Sequence, residues 1–292
     1  MIDRRQALSR MGALAAGAAT IGCTGEDFRA EADPAMSATP GHLSPIGLQL
    51  YTVRSEMQKG VEATLERVAA IGYREVEFAG YFDHTAAEIR EMLERTGLTA
   101  PSSHVPASFQ HDAWSRILEE AAEAGHEFVT VAWTEESMRA DLDAWRRMAE
   151  AMNQAGEMAR QVGLQYAYHN HDFEFDVMEG EVPFDVLCEA TDPELVQIEL
   201  DLFWIVHGGG DPFTFFDRWP GRVPMVHVKD RTAAGAMVDV GQGEIDFAAV
   251  FRRIDDAGMR HFFVEHDSPA DAFRSIASSY TYLTRLEIPN RG

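Results

Sequence analysis

"LQYAYHNH", residues 164–171, opens directly after Gly163, which ends a helical run, and closes in a cluster of polar side chains. Alternation puts Ala167, His169 and His171 on one face and Tyr168 and Asn170 on the other, which is the period of a strand. The segment continues as "DFEF" and passes through a loop to the helical stretch "PFDVLCEA". Strand, loop and helix in that order form one unit of an α/β fold.

The unit recurs from Pro45 onward. "IGLQLYT" precedes "VEATLERVAAIG", "YREVEFAG" precedes "TAAEIREMLERTG", and "LTAPSSHV" precedes "DAWSRILEEAAEAG". "EFVTVAW" precedes a helical region over 137–163. Further on, "LVQIELDLFW" leads to "DPFTFFDRW", "VPMVHVKD" to "FAAVFRRIDDAG", and "HFFVEHD" to "DAFRSIASSYTYLTRL". Helices stop at Gly72, Gly97, Gly125, Gly163 and Gly258, the expected C-terminal residue. Eight such units in about 245 residues predict a closed (β/α)8 barrel, a single α/β domain over 45–292. An open sheet with a dinucleotide loop lacks support, because "HGGGDP" follows a strand without the GxGxxG spacing.

The residues before the barrel read as two further segments. Residues 1–23, with Arg4 and Arg5 ahead of a short apolar run, are expected to be a twin-arginine export signal. Gly22-Cys23 resembles the end of a lipobox, although Thr20 stands where an aliphatic residue is usual. The expected location is therefore exported, periplasmic or held at the membrane by a lipid on Cys23. Residues 24–44 are expected to be a flexible linker. Cys188 lies in an apolar helical stretch and reads as a buried structural thiol. The formal charge of −23 argues against a nucleic-acid partner, since backbone binding runs on clustered Lys and Arg.

In a barrel of this kind the chemistry gathers at the C-terminal ends of the strands. Alternation sorts the side chains there: His169 with His171, Glu199 with Asp201, His227 with Lys229, and Glu265 with Asp267. Strands five to eight thus each bring a histidine or a carboxylate to the mouth: His169 or His171, then Asp201, His227 and Glu265. Mixed imidazole and carboxylate donors suit one divalent cation such as Mn²⁺, Co²⁺, Zn²⁺ or Mg²⁺. Gln49, Glu77, His104, Trp133, Glu199 and Trp204 are candidates for contact with a small hydroxyl-bearing ligand, the aromatic pair for stacking on its face. For the two tryptophans, core packing is the alternative. Lys229 could stabilise an oxyanion or pair with a carboxylate.

From about Ile46 to Leu286 the chain resembles the sugar phosphate isomerase/epimerase family, the xylose-isomerase-like barrels. The resemblance rests on "GLQLYTVR", "EVEFAG", "APSSH", "YHNHDFEF", "ELDLFW", "HVKD", "GQGEIDF" and "FVEHD". It implies metal ligation by Asp201, His227 and Glu265. At strand five, where sugar epimerases of this group usually carry glutamate, this sequence has His169 at the aligned position and His171 two residues on.

The expected activity is that of a metal-dependent isomerase or epimerase. It would remove a proton α to a carbonyl on an unphosphorylated sugar, through an enediolate stabilised by the cation. Glu265, His171 and Lys229 are the candidate catalytic groups. Two alternatives stand beside it: β-elimination from a 3-keto-glycoside, and sugar binding without catalysis.

Overall fold

The computed structural model describes residues 41–107 and 111–288. The expected export signal, Cys23 and residues 24–40 of the expected linker lie outside the described residues.

The barrel strands are Gly47–Gln49, Glu75–Phe78, Thr99–Val105, Phe128–Val131, Gln165–His169, Val196–Asp201, Met225–Val228 and His261–Val264. Each pairs in parallel with its neighbours in the sequence. The first also pairs with the eighth, with Gly47 opposite Phe263, and this closes the barrel. The expected single-domain (β/α)8 architecture is thus what the chain forms.

The helices between the strands follow from local sequence. In Ala86–Thr96, Thr85 caps the N-terminus and Glu88 returns the bond to the backbone of Thr85. Ile89, Met92 and Leu93 form the buried face, and Gly97 ends the helix in the left-handed conformation at φ 68°. Cys188 is buried in the helix Pro183–Ala190, as its sequence context indicated, and burial pushes its thiol up to about 12.

Alternation also organises the barrel interior. Phe128, Ala167, Met225 and Phe263 form an apolar cluster, all fully buried. Phe263 packs so close to the first strand that a Cβ on Gly47 would overlap its ring. Two residues further along the same strands stand Thr130, His169, His227 and Glu265. The period of two therefore converts an apolar layer into a polar one one step nearer the mouth.

At several points the segments differ from the sequence reading; "IGLQLYT", for one, is a strand only to Gln49, after which Leu50–Val53 is a 3-10 turn. "LVQIELDLFW" is not one strand: it stops at Asp201, and Leu202–His207 is helical. Strand five stops at His169, so His171 belongs to the following loop. The helix expected from residue 137 starts at Leu142, where Asp141 accepts from the Ala144 N–H and caps it. "FAAVFRRIDDAG" breaks into Phe247–Phe251 and Ile254–Ala257.

The loop "VGQGEI" wraps around a buried carboxylate. Asp230 accepts from the N–H groups of Gly241 and Gly243 at 2.9 and 2.8 Å and from that of Ile245 at 3.3 Å. Gly241, at φ 88°, lies against the Tyr282 ring. These glycines are turn formers whose N–H groups already have an internal anion.

Candidate metal centre

Asp201 is positioned by the turn it creates. One carboxylate oxygen, Oδ1, accepts from the backbone N–H groups of Phe203 and Trp204, both at 2.9 Å, and so caps the helix after strand six. Its own N–H donates to Asn170 Oδ1, 2.9 Å away at the end of strand five. The other oxygen, Oδ2, is left to face the barrel axis. It lies 3.7 Å from His169 Nε2 and 3.7 Å from His227 Nδ1. Glu265 Oε2 lies 2.7 Å from the same His227 Nδ1. Asp201, His227 and Glu265 therefore meet at one point, and His169 flanks it from strand five, facing Asp201.

These residues suit a divalent cation. All four are buried, and Asp201, His227 and Glu265 offer ligand atoms within 4.8 Å of one another. Asp201 Oδ2 and His227 Nδ1 are buried without a well-aligned hydrogen-bond partner. Both face charged groups instead, Lys229 Nζ at 3.0 Å from Asp201 Oδ2 and Glu265 Oε2 at 2.7 Å from His227 Nδ1. Two imidazoles and two carboxylates that converge on such atoms form a donor set for a transition-metal or similar divalent ion.

Lys229 is the protein's own cation here. It is fully enclosed, with Nζ 3.0 Å from Asp201 Oδ2, 2.8 Å from Glu265 Oε2 and 2.9 Å from Asp267 Oδ1. Burial works against its charge, but these three carboxylates hold it well above the usual lysine range. Burial likewise works against Asp201, yet Lys229 and the histidines bring it down to about 2. Glu265 is held well below the carboxylate range despite burial, by Lys229 and His227.

His171 is not part of the converging set. It makes no ion pair with these carboxylates among the described residues, and its Nδ1 is buried without a partner. Its ring lies 5.4 Å from Trp133, 5.5 Å from Trp204 and 5.7 Å from Phe173, centroid to centroid. Burial, then the neighbouring His169 and Lys229, lower it to about 2, so it is neutral. Trp133 is 54% exposed, which rules out the core-packing alternative for it. Trp204 is half-buried on the helix after strand six, with an unpartnered Nε1 and Lys229 Nζ 5.7 Å from its ring. The two indoles therefore flank His171 at the opening.

Four of the residues expected to touch a sugar lie beneath this opening. Gln49, Glu77 and Glu199 have no exposed surface. Gln49 Nε2 donates to Glu77 Oε2 at 2.6 Å, and Ser102 Oγ donates to Glu77 Oε1 at 2.6 Å. His227 Nε2 is 2.7 Å from Glu77 Oε2, and His104 Nε2 is 2.7 Å from Glu199 Oε2. His104 stacks on His227 with centroids 5.3 Å apart and 16° between planes. Burial and the charge of Glu199 push Glu77 up, whereas His227 and His104 pull Glu199 well below the usual range against the effect of burial. Direct sugar contact is not what this geometry supports for Gln49, Glu77 and Glu199, because all three are turned inward with no exposed surface and are bonded to side chains of neighbouring strands.

Sequence reasoning passed over Glu174, although it lies inside "YHNHDFEF". It is fully buried, accepts from Tyr168 Oη at 2.7 Å and from the His171 N–H at 2.9 Å, and so holds the loop that carries His171. Its signal was an acidic residue between two phenylalanines. Burial raises it from 4.5 to about 8, against the pull of its hydrogen bonds. A carboxyl raised in the folded state stabilises the fold fully below the unfolded value. That stability is lost as pH rises through the folded value. Denaturation measured from about pH 4.5 to about pH 8 should show the wild type losing stability relative to Glu174→Gln. Parallel profiles would rule out a neutral Glu174.

The fold and site together define an α/β barrel with a cluster of histidines and carboxylates at its strand ends that could hold a cation. Residues 65–283 match the model of the xylose isomerase-like TIM barrel family, and the chain belongs to that family. An inosose dehydratase of Lacticaseibacillus casei is 30% identical over 170 residues, which covers 50% of this chain and 56% of that protein. The match thus spans little more than half of that relative's length. An inosose dehydratase of Geobacillus kaustophilus is 24% identical over 263 residues, 76% of this chain and 83% of that protein. A crystal structure of a sugar phosphate isomerase/epimerase from Parabacteroides distasonis superposes with a TM-score of 0.73 at 24% identity. It covers 86% of this chain and 96% of that one, and supports the fold.

Proposed function

We propose that this protein is a divalent-cation-dependent lyase that removes the proton α to a carbonyl of an unphosphorylated sugar or cyclic polyol ketone and expels a β-substituent. The carrying observation is the asymmetry of the site. An epimerase needs a base on each face of the substrate. Here one wall offers neutral imidazole, His169 and His171, and the other offers carboxylates braced by the ammonium of Lys229. A base on one side and a proton donor on the other suit elimination. The names of the two inosose dehydratases support the same order, which reverses the sequence expectation of isomerisation first.

His171 is assigned as the base on position, because its Nδ1 has no partner and its ring stands at the opening between Trp133 and Trp204; burial leaves this imidazole only weakly basic, so the assignment requires the cation to acidify the α-proton. Lys229 is assigned as the group that delivers a proton to the leaving oxygen. A cation held by His169, Asp201, His227 and Glu265 supplies the Lewis acidity that makes the α-proton labile. Lys229 already faces three carboxylates, which makes it a poor receptor for a phosphate dianion.

The test is incubation in D₂O with Mn²⁺ and a panel of inososes, 3-keto-glycosides and free ketoses. Exchange of the α-proton together with loss of the β-substituent, as a conjugated enone or the 1,2-diketone into which a hydroxyl-bearing enone ketonises, is the expected result. Exchange with a rearranged sugar and no enone would return the reading to isomerisation. If no substrate exchanges, catalysis of this class is excluded for the panel, and sugar binding takes its place.

A further inference from the structure

Below the cluster at the mouth lies a second group of potential ligands: His104, His169, Glu199 and His227 also offer atoms within 4.8 Å of one another. It could be a second cation site or a frame for the first. We propose that Glu199, Glu77 and His104 are positioning residues that orient the imidazoles of His227 and His169 toward a single cation, and that no second cation binds between them. This rests on the cation site proposed above.

The geometry is a square. Glu77 Oε2 lies 2.7 Å from His227 Nε2 and 3.3 Å from His104 Nε2. Glu199 Oε2 lies 2.7 Å from His104 Nε2 and 3.3 Å from His227 Nε2. The two rings stack in parallel between the two carboxylates. Each ring nitrogen in the square is therefore a proton donor to an adjacent carboxylate. A neutral imidazole has one N–H and one lone pair. With its proton on Nε2, His227 presents the lone pair at Nδ1, the atom that faces Asp201 and Glu265. A second cation at Nε2 would require His227 to lose both protons and bridge as an imidazolate.

His169 repeats the arrangement. Its Nδ1 is 3.3 Å from Glu199 Oε2, off the line of a good hydrogen bond, and its Nε2 faces Asp201. Glu199 thus serves rings from strands three, five and seven with one oxygen. Gln49 and Ser102 hold Glu77 from the other side, so the frame is itself anchored to strands one and three. Buried carboxylates that order metal-binding histidines in this way typically change metal affinity by about 10–100-fold when removed.

Titration of the purified protein with Mn²⁺, with free ion followed by electron paramagnetic resonance, distinguishes the cases. The wild type should bind one equivalent. Glu199→Gln should still bind one, about 10–100-fold more weakly, with an unchanged circular dichroism spectrum. In the Zn²⁺-loaded wild type, ¹⁵N NMR should place the proton of His227 on Nε2. Two tight equivalents in the wild type, or an Nδ1 proton on His227, would overturn the proposal. So would an unchanged affinity in Glu199→Gln. If Glu199→Gln does not fold, His104→Asn, outside the ligand set, should weaken Mn²⁺ instead, and an unchanged affinity there counts against the frame. A wild type that binds one equivalent while these variants are silent sinks the frame and leaves the function standing. A wild type that binds none sinks both.

Discussion

Replacing Asp201 and His227 together by alanine is expected to abolish divalent-cation binding and turnover. Each supplies an atom that is buried and otherwise without a well-aligned partner, so the loss is not made good by solvent. Lewis-acid stabilisation is worth several kcal/mol, which corresponds to a rate loss of about 10³-fold or more. Metal content after dialysis and turnover of the same sample are the measurements. Asp201 also caps the helix Leu202–His207, so alanine removes a cap worth about 1 kcal/mol as well. Asp201→Asn with His227→Ala keeps a capping oxygen while removing the charge, and it should lose the cation just as completely. A full equivalent retained by either purified double variant would place the site elsewhere.

The second large effect separates the ligand from the base. His171→Asn should keep one equivalent of cation and slow α-proton exchange by about 10²-fold or more, the scale for loss of a general base. Glu265→Gln should slow exchange at least as much and also weaken the cation, because its Oε2 lies in the converging set. Solvent deuterium incorporation and metal titration on the same preparations give both readings. If His171→Asn exchanges at the wild-type rate, the base is another group, and Asp267 at the end of strand eight is the next candidate. Burial raises that carboxyl above its ordinary value even though Lys229 lies beside it.

A lone histidine or carboxylate at a strand end most often caps a loop, and Asp201 does cap one. The capping bonds use a single oxygen, so the structural role leaves the second oxygen to the proposed cation. This is why the residue could be picked out from alternation alone while the direction of its second oxygen could not.

The periods of the sequence determined the barrel. Strand runs alternate at two residues, helices close on glycine, and parallel neighbours follow from the order of the units, so local spacing was enough to count the strands and sort their faces. It was also enough to bring His169, Asp201, His227 and Glu265 to one end. Depth along the barrel axis was not legible. Gln49, Glu77 and Glu199 share the inward face with true mouth residues, and only the closed barrel turns them onto one another and onto His104 and His227 with no surface left exposed. The ends of strands five and six were set by side chains that bond back to the main chain, Glu174 to the His171 N–H and Asp201 to the Phe203 N–H. Those bonds took His171 and Trp204 out of the strands and placed them on the rim. The four contacts that join Glu77, His104, Glu199 and His227 link residues 27 to 150 positions apart. Closing the barrel is what brings such residues within 3.3 Å of each other, and no periodicity within a segment records it.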